Sequence, residues 1–162
     1  MRKMQNVELN TAWADLSIKS IRANLKWALT HPYFKQWLEN AEPSEALEVK
    51  KELKKAEITK KRDKAINGGV EYNGKVYQSA EKDRNLLTST ASLFSITNQV
   101  PEGFKWIAKD NEAVDFTLQD LIALGVKMAE SVNLNTMKAR SLKDKVEKAK
   151  SVAALKKIQV EF

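Results

Sequence analysis

The residues best able to do chemistry in this 162-residue chain are few and widely spaced. Asp110, Asn111 and Glu112 offer three oxygen-bearing side chains in a row, which could hold a hard cation. They lack the Asp-x-Asp-x-Asp-Gly framework and the later glutamate of a calcium loop, so a polar turn is the better reading. His31, the single histidine, could act as a base, but no serine or cysteine context beside it suggests a nucleophile. Glu81 and Asp83 sit where a helix would begin, and their charges suit the positive end of its dipole better than a metal site. With no cysteine, thiolate ligands, thiol nucleophiles and disulfides are excluded together. Phosphate-binding glycine loops, His-Glu-x-x-His and Gly-x-Ser-x-Gly do not occur. The expectation is a protein that is not an enzyme and needs no cofactor.

Composition frames what positions these residues. Hydrophobic residues make up 43% and charged residues 30%, with five Gly and three Pro, which suits a helix-leaning globular chain. No apolar run reaches the ~20 residues of a membrane span, and the N-terminus lacks a secretory h-region, so no membrane partner is expected. The net charge of +7 is uneven: residues 1–66 hold 14 basic against 9 acidic residues, 67–115 hold 5 against 7, and 116–162 hold 9 against 5. Basic helices could bind a nucleic acid, yet in KKELKK and KKRDK the lysines alternate with acids, which dilutes the field. Nucleic-acid binding therefore stays an alternative without being favoured.

Three organisational zones are expected. Residues 1–43 read as a helical hairpin, with one helix over 11–29 capped by Asn10 or Thr11 and a second, shorter helix before Pro43. Trp13, Trp27, Tyr33, Phe34 and Trp37 concentrate there, more aromatic surface than two short helices could hide, so they are candidates for anchoring a partner. Residues 44–66 form a connecting helix whose stripe of Ala46, Val49, Leu53 and Ala56 could pack inside the chain or against a second copy.

Residues 67–162 change character. Asn67-Gly68-Gly69 stops a helix, and Asn73-Gly74 between VEY and KVY predicts a two-residue hairpin turn. That register pairs Val70 with Tyr77 and Tyr72 with Lys75, placing both tyrosines on one face. Ser79 is the expected cap of a helix with Leu86, Leu87, Thr90, Leu93 and Phe94 on its buried face. A second hairpin turns at Lys109–Glu112, Thr117 and Asp120 form a capping-box pair, and two further helices follow, the last breaking near Ser151. The fold class is α+β: an N-terminal helical hairpin and long helix, then small antiparallel β-hairpins packed against three or four helices.

From residue 58 onward the chain resembles a domain of unknown function found in tail-associated proteins of tailed bacteriophages and prophages. A hairpin pattern at Gly69, Val70, Tyr72, Gly74, Tyr77 and Ser79 carries the resemblance. So does a second pattern at Trp106, Ala108, Asp110, Asn111, Val114, Phe116, Thr117 and Leu118, with a closing helix ending in SVAALKKIQ. Together they cover about the last 100 residues. The resemblance implies a structural part of a phage tail, baseplate or tail fibre in the virion, with other tail, baseplate or fibre proteins as partners and self-association as an accompaniment. A tail-fibre assembly chaperone is the alternative in the same setting. The resemblance implies no activity, because its shared residues are turn, cap and core types.

Overall fold

The computed structural model describes residues 15–162. Seven helices and four short strands follow in order among them. The helices are α1 (Ile18–Ala23), α2 (Leu25–Thr30), α3 (Phe34–Asn40), α4 (Pro43–Asn67), α5 (Glu81–Thr97), α6 (Leu118–Lys148) and α7 (Val152–Lys156). Strands β1 (Val70–Tyr72) and β2 (Lys75–Tyr77) pair antiparallel, as do β3 (Lys105–Ile107) and β4 (Ala113–Asp115). The α+β class expected from the sequence is the one found. Two compact units share the chain: residues up to Ile58 with Leu142–Val160, and Thr59–Ser141 with the final two residues. The zone boundaries read from sequence at 43 and 66 do not coincide with this division.

In the first unit, the described part of the helix expected over 11–29 forms two six-residue helices, and its expected caps, Asn10 and Thr11, lie outside the described residues. Asn24 breaks that helix: its backbone leaves the helical region, and its side chain accepts the N–H of Trp27, which starts α2 afresh. Pro43 opens α4 rather than closing α3, as its fixed φ and missing N–H allow at a first helical position. Leu16, Ile21, Ala28, Phe34, Trp37 and Val49 are buried together, with Leu53 packed at the edge. The stripe on α4 is thus spent inside the chain at Ala46, Val49 and Leu53, while Ala56 is exposed. Glu147 ties α6 to α4 within this unit, its carboxylate 2.7 Å from Lys55 Nζ and its carbonyl accepting from Lys51 at 3.1 Å.

The second unit is built around its hairpins. A lone two-stranded hairpin is marginal in water, so each needs a helical surface to lean on. Tyr77, Leu87, Ala108, Phe116, Leu121, Leu124 and Met128 form that core, with Tyr72, Phe94, Phe104 and Trp106 packed at its margin. The register of the first hairpin is the expected one, and Asn73 and Gly74 both take positive φ (49° and 74°). Two expectations fail. Ser79 does not cap α5; Ala80 does, and the Asp83 carboxylate accepts its N–H. Leu86 and Leu93 are not in the core, because α5 turns Leu87, Ala91 and Phe94 inward and leaves those two on its outer side. The two helices expected after Thr117 are one, α6, since nothing between Val132 and Leu134 breaks the backbone bonds. The break near Ser151 is present, with its hydroxyl oxygen capping α7.

Candidate functional site

The aromatics proposed as an anchor divide by burial. Trp13 lies outside the described residues. Phe34 and Trp37 are core residues of the first unit and present no surface to a partner. The expectation that two short helices could not hide them omitted α4, whose Val49 and Leu53 complete the wall. Trp27 and Tyr33 are half-buried, flanking His31, whose ring lies 5.4 Å from Trp27 and 6.1 Å from Tyr33. Both nitrogens of that histidine have structural partners. Nδ1 accepts the N–H of Tyr33 at 3.2 Å, and Nε2 faces the Asp15 carboxylate at 3.3 Å. Leu29, on the same short segment, is more than half exposed. What remains open there is therefore Trp27, Leu29 and Tyr33.

The hairpin motif makes a joint. Ser79 is fully buried; its hydroxyl donates to the Ile66 carbonyl at 2.6 Å and accepts the Gly69 N–H at 2.9 Å. One hydroxyl so satisfies an orphan carbonyl in the last turn of α4 and the first amide of the hairpin. Gly69 has φ +114°, and a Cβ there would stand 2.7 Å from Val76 Cγ1 and 3.1 Å from the Tyr77 carbonyl, so only glycine fits. Arg84 reaches back from α5 to the Ser79 carbonyl and the Asn67 side chain.

The second motif locks the hairpins to each other. Lys109 N–H donates to the Val76 carbonyl at 2.8 Å, and Lys109 Nζ donates to the Gly68 carbonyl at 2.6 Å. Lys75 pairs with both Asp110 and Glu112. The Asp110 carboxylate also accepts the N–H of Glu112 at 3.1 Å, closing a turn in which Asn111 takes φ 66°. The Glu112 N–H first, and then Lys75, hold the Asp110 carboxyl below the usual carboxylate range. This loop is thus a turn and a docking contact. Among the described residues, no group of three His, Cys, Asp or Glu side chains is placed to hold a metal ion.

Phe116 lies at the centre of the joint, with its ring 6.0 Å from Tyr72, 5.2 Å from Tyr77 and 6.4 Å from Trp106. Such ring pairs add about 0.5–1.5 kcal/mol each beyond area burial. At the next residue, Thr117 and Asp120 exchange capping bonds, Thr117 N–H to the carboxylate at 2.8 Å and Asp120 N–H to the hydroxyl at 3.1 Å. The other oxygen of Asp120 accepts from Tyr72 Oη at 2.8 Å. The Asp120 carboxyl is held low by the Thr117 hydroxyl first and the Thr117 N–H second, and its hydrogen bond raises the Tyr72 phenol above the usual range.

Sequence reasoning missed a surface. Ten large hydrophobic side chains are exposed among the described residues, and all but Leu29 belong to the second unit. Leu86, Leu93 and Ile96 lie along α5, and Ile122 and Val126 along α6. Between the two helices runs a groove of about 350 Å³ in which Leu87, Leu121, Ile122 and Val126 stand beside smaller residues such as Ala91, Ser95 and Gly125. The missing signal was charge: residues 85–101 contain no Asp, Glu, Lys, Arg or His, in a chain that is 30% charged.

The family described as Domain of unknown function (DUF4376) matches residues 49–160, more than half of the chain, and the protein belongs to that family. No curated protein and no solved structure matches the chain.

Proposed function

We propose that the protein is a non-enzymatic structural component of a bacteriophage tail, baseplate or tail-fibre assembly, acting in the virion as an attachment or adaptor module. The observation that carries this reading is the use made of the residues that resemble the tail-associated domain. They form turns, a helix cap, a buried hydroxyl clamp and an aromatic hub, and so fix a rigid joint instead of presenting a reactive group. A module of fixed shape with aliphatic side chains on its surface suits assembly with other tail, baseplate or fibre proteins. On the first unit, Trp27, Leu29 and Tyr33 are the attachment candidates.

The charge pattern supports protein partners over nucleic acid. Arg22, Lys51, Lys54 and Lys55 are engaged with Glu48, Glu52, Glu57 and Glu147, so much of the basic character of α4 is neutralised within the chain. Quantitative mass spectrometry of purified particles tests the reading. A fixed copy number per tail is expected, reduced by Trp27→Ala combined with Leu29→Ala while the purified variant keeps its helical circular dichroism. Absence from particles, with malformed fibres when the gene is deleted, is the result that overturns it in favour of an assembly chaperone.

A further inference from the structure

We infer that the groove between α4 and α7 binds an acidic amphipathic helix of a partner protein, with the partner's aliphatic side chains in the groove and its carboxylates on the flanking lysines. Binding of this kind does not require the virion setting, so the two readings fail separately.

The groove lies wholly within the first unit and has a volume of about 320 Å³. Lys50, Leu53, Lys54 and Glu57 make its α4 wall, at the i, i+3, i+4 and i+7 spacing of a single helix face. Val152, Leu155 and Lys156 make the α7 wall, again at i, i+3 and i+4. Each wall thus brings both aliphatic and cationic side chains. Seven residues of α4 rise about 10 Å, which matches two turns of a helix laid alongside.

Charge selects the sign of the partner. Lys54 is paired with Glu57 at 3.2 Å, whereas Lys50 and Lys156 form no ion pair among the described residues. Residues 148–160 hold four lysines and no Asp or Glu, so the acids that dilute KKELKK on α4 have no counterpart on α7. An acidic partner is drawn to this side of the unit, and a second copy of the chain, at +7, is repelled.

Depth selects the class of partner. Leu155 is buried, and Leu53 and Val152 are half-buried, so the aliphatic surface is recessed between the cations. A bilayer takes up side chains that protrude, and single-stranded nucleic acid stacks its bases on aromatic rings. No wall residue offers either. An amphipathic helix supplies what fits: aliphatic side chains that reach inward along one face, with carboxylates at the edges of that face.

Fluorescence anisotropy of the full chain tests this with a labelled helical peptide carrying leucine at i, i+3 and i+7, glutamate beside each leucine and alanine elsewhere. Saturable binding is expected, weakened at least about tenfold when serine replaces the leucines. Lys50→Glu with Lys156→Glu should weaken it by a similar factor and favour a peptide with lysine in place of glutamate. Lys82→Glu with Lys127→Glu, both exposed on the second unit, makes the same change in net charge and should leave binding unchanged. Circular dichroism matching the unsubstituted chain shows that both double variants are folded. Lack of binding, equal binding of the serine peptide, equal loss from the two pairs of substitutions, or displacement of the peptide by an oligothymidine or by anionic phospholipid vesicles overturns the inference.

Discussion

Tyr72 and Asp120, 48 residues apart, are joined by a 2.8 Å hydrogen bond from the phenol to a carboxylate that also caps α6. The first hairpin is thereby attached to the start of the longest helix. Replacing Tyr72 with Phe removes only the hydroxyl and should cost about 1 kcal/mol, whereas Asp120→Ala also removes the cap and should cost about 1–3 kcal/mol. Urea denaturation of both single variants and the double variant should give a coupling energy above ~0.5 kcal/mol. Strict additivity would show that the bond contributes nothing to folding.

Ser79→Ala should be unexpectedly severe for the loss of one oxygen. It leaves the Ile66 carbonyl and the Gly69 N–H without their partner in a buried setting, at about 2–4 kcal/mol. Were Ser79 an ordinary helix cap, Ser79→Asp would be tolerated. Here it should destabilise more than Ser79→Ala, because a carboxylate cannot donate to Ile66 and would be buried.

Two glycines with positive φ should respond differently to the same change. Gly74→Ala meets no neighbouring atom and should cost about 1 kcal/mol of backbone strain. At Gly69 the added methyl also collides with Val76 and the Tyr77 carbonyl, so thermal unfolding should place Gly69→Ala well below Gly74→Ala.

Trp37→Ala should destabilise by about 3–5 kcal/mol, and Trp27→Ala by less than half of that. Denaturation midpoints check the order. Equal effects would place Trp27 in the core and remove it from the attachment candidates.

Stability should show a plateau between about pH 5 and pH 9. Asp110 and Asp120 have lowered folded values, so what they contribute is complete above the ordinary carboxylate range and is lost as pH falls through those values. Lys75, raised by its bond to Glu112 first, and Tyr72, raised by its bond to Asp120 first, act at the other limit. Their contribution is whole below their unfolded values and is lost as pH rises past them. Asp120→Asn should flatten the acid limb, and Tyr72→Phe the alkaline one, in chemical denaturation followed across pH.

The hairpins were legible because their signals are local. Asn73-Gly74 dictates a turn whatever surrounds it, and the register follows from alternation alone. Positions decided by distant residues were not. Ser79 looked like a cap because it precedes an acidic first turn, but the Ile66 carbonyl, 13 residues earlier, claims its hydroxyl. Phe34 and Trp37 looked exposed because the α4 wall that covers them is separated by sequence. On α5, Leu86 and Leu87 are adjacent and equally apolar, and only the position of α6 decides which one is buried.

The division of the chain also sets an order of folding. In the joint at Ser79, the bonds close loops of only 10 and 13 residues, at low entropic cost, while the core beneath the hairpin draws on Phe116, Leu121, Leu124 and Met128 further along the chain. The first unit depends on bonds from Lys51 and Lys55 to Glu147, across 96 and 92 residues. The apolar cluster of the first unit lies wholly within residues 16–53, so those long-range bonds are added to core residues already made when residues 142–160 emerge.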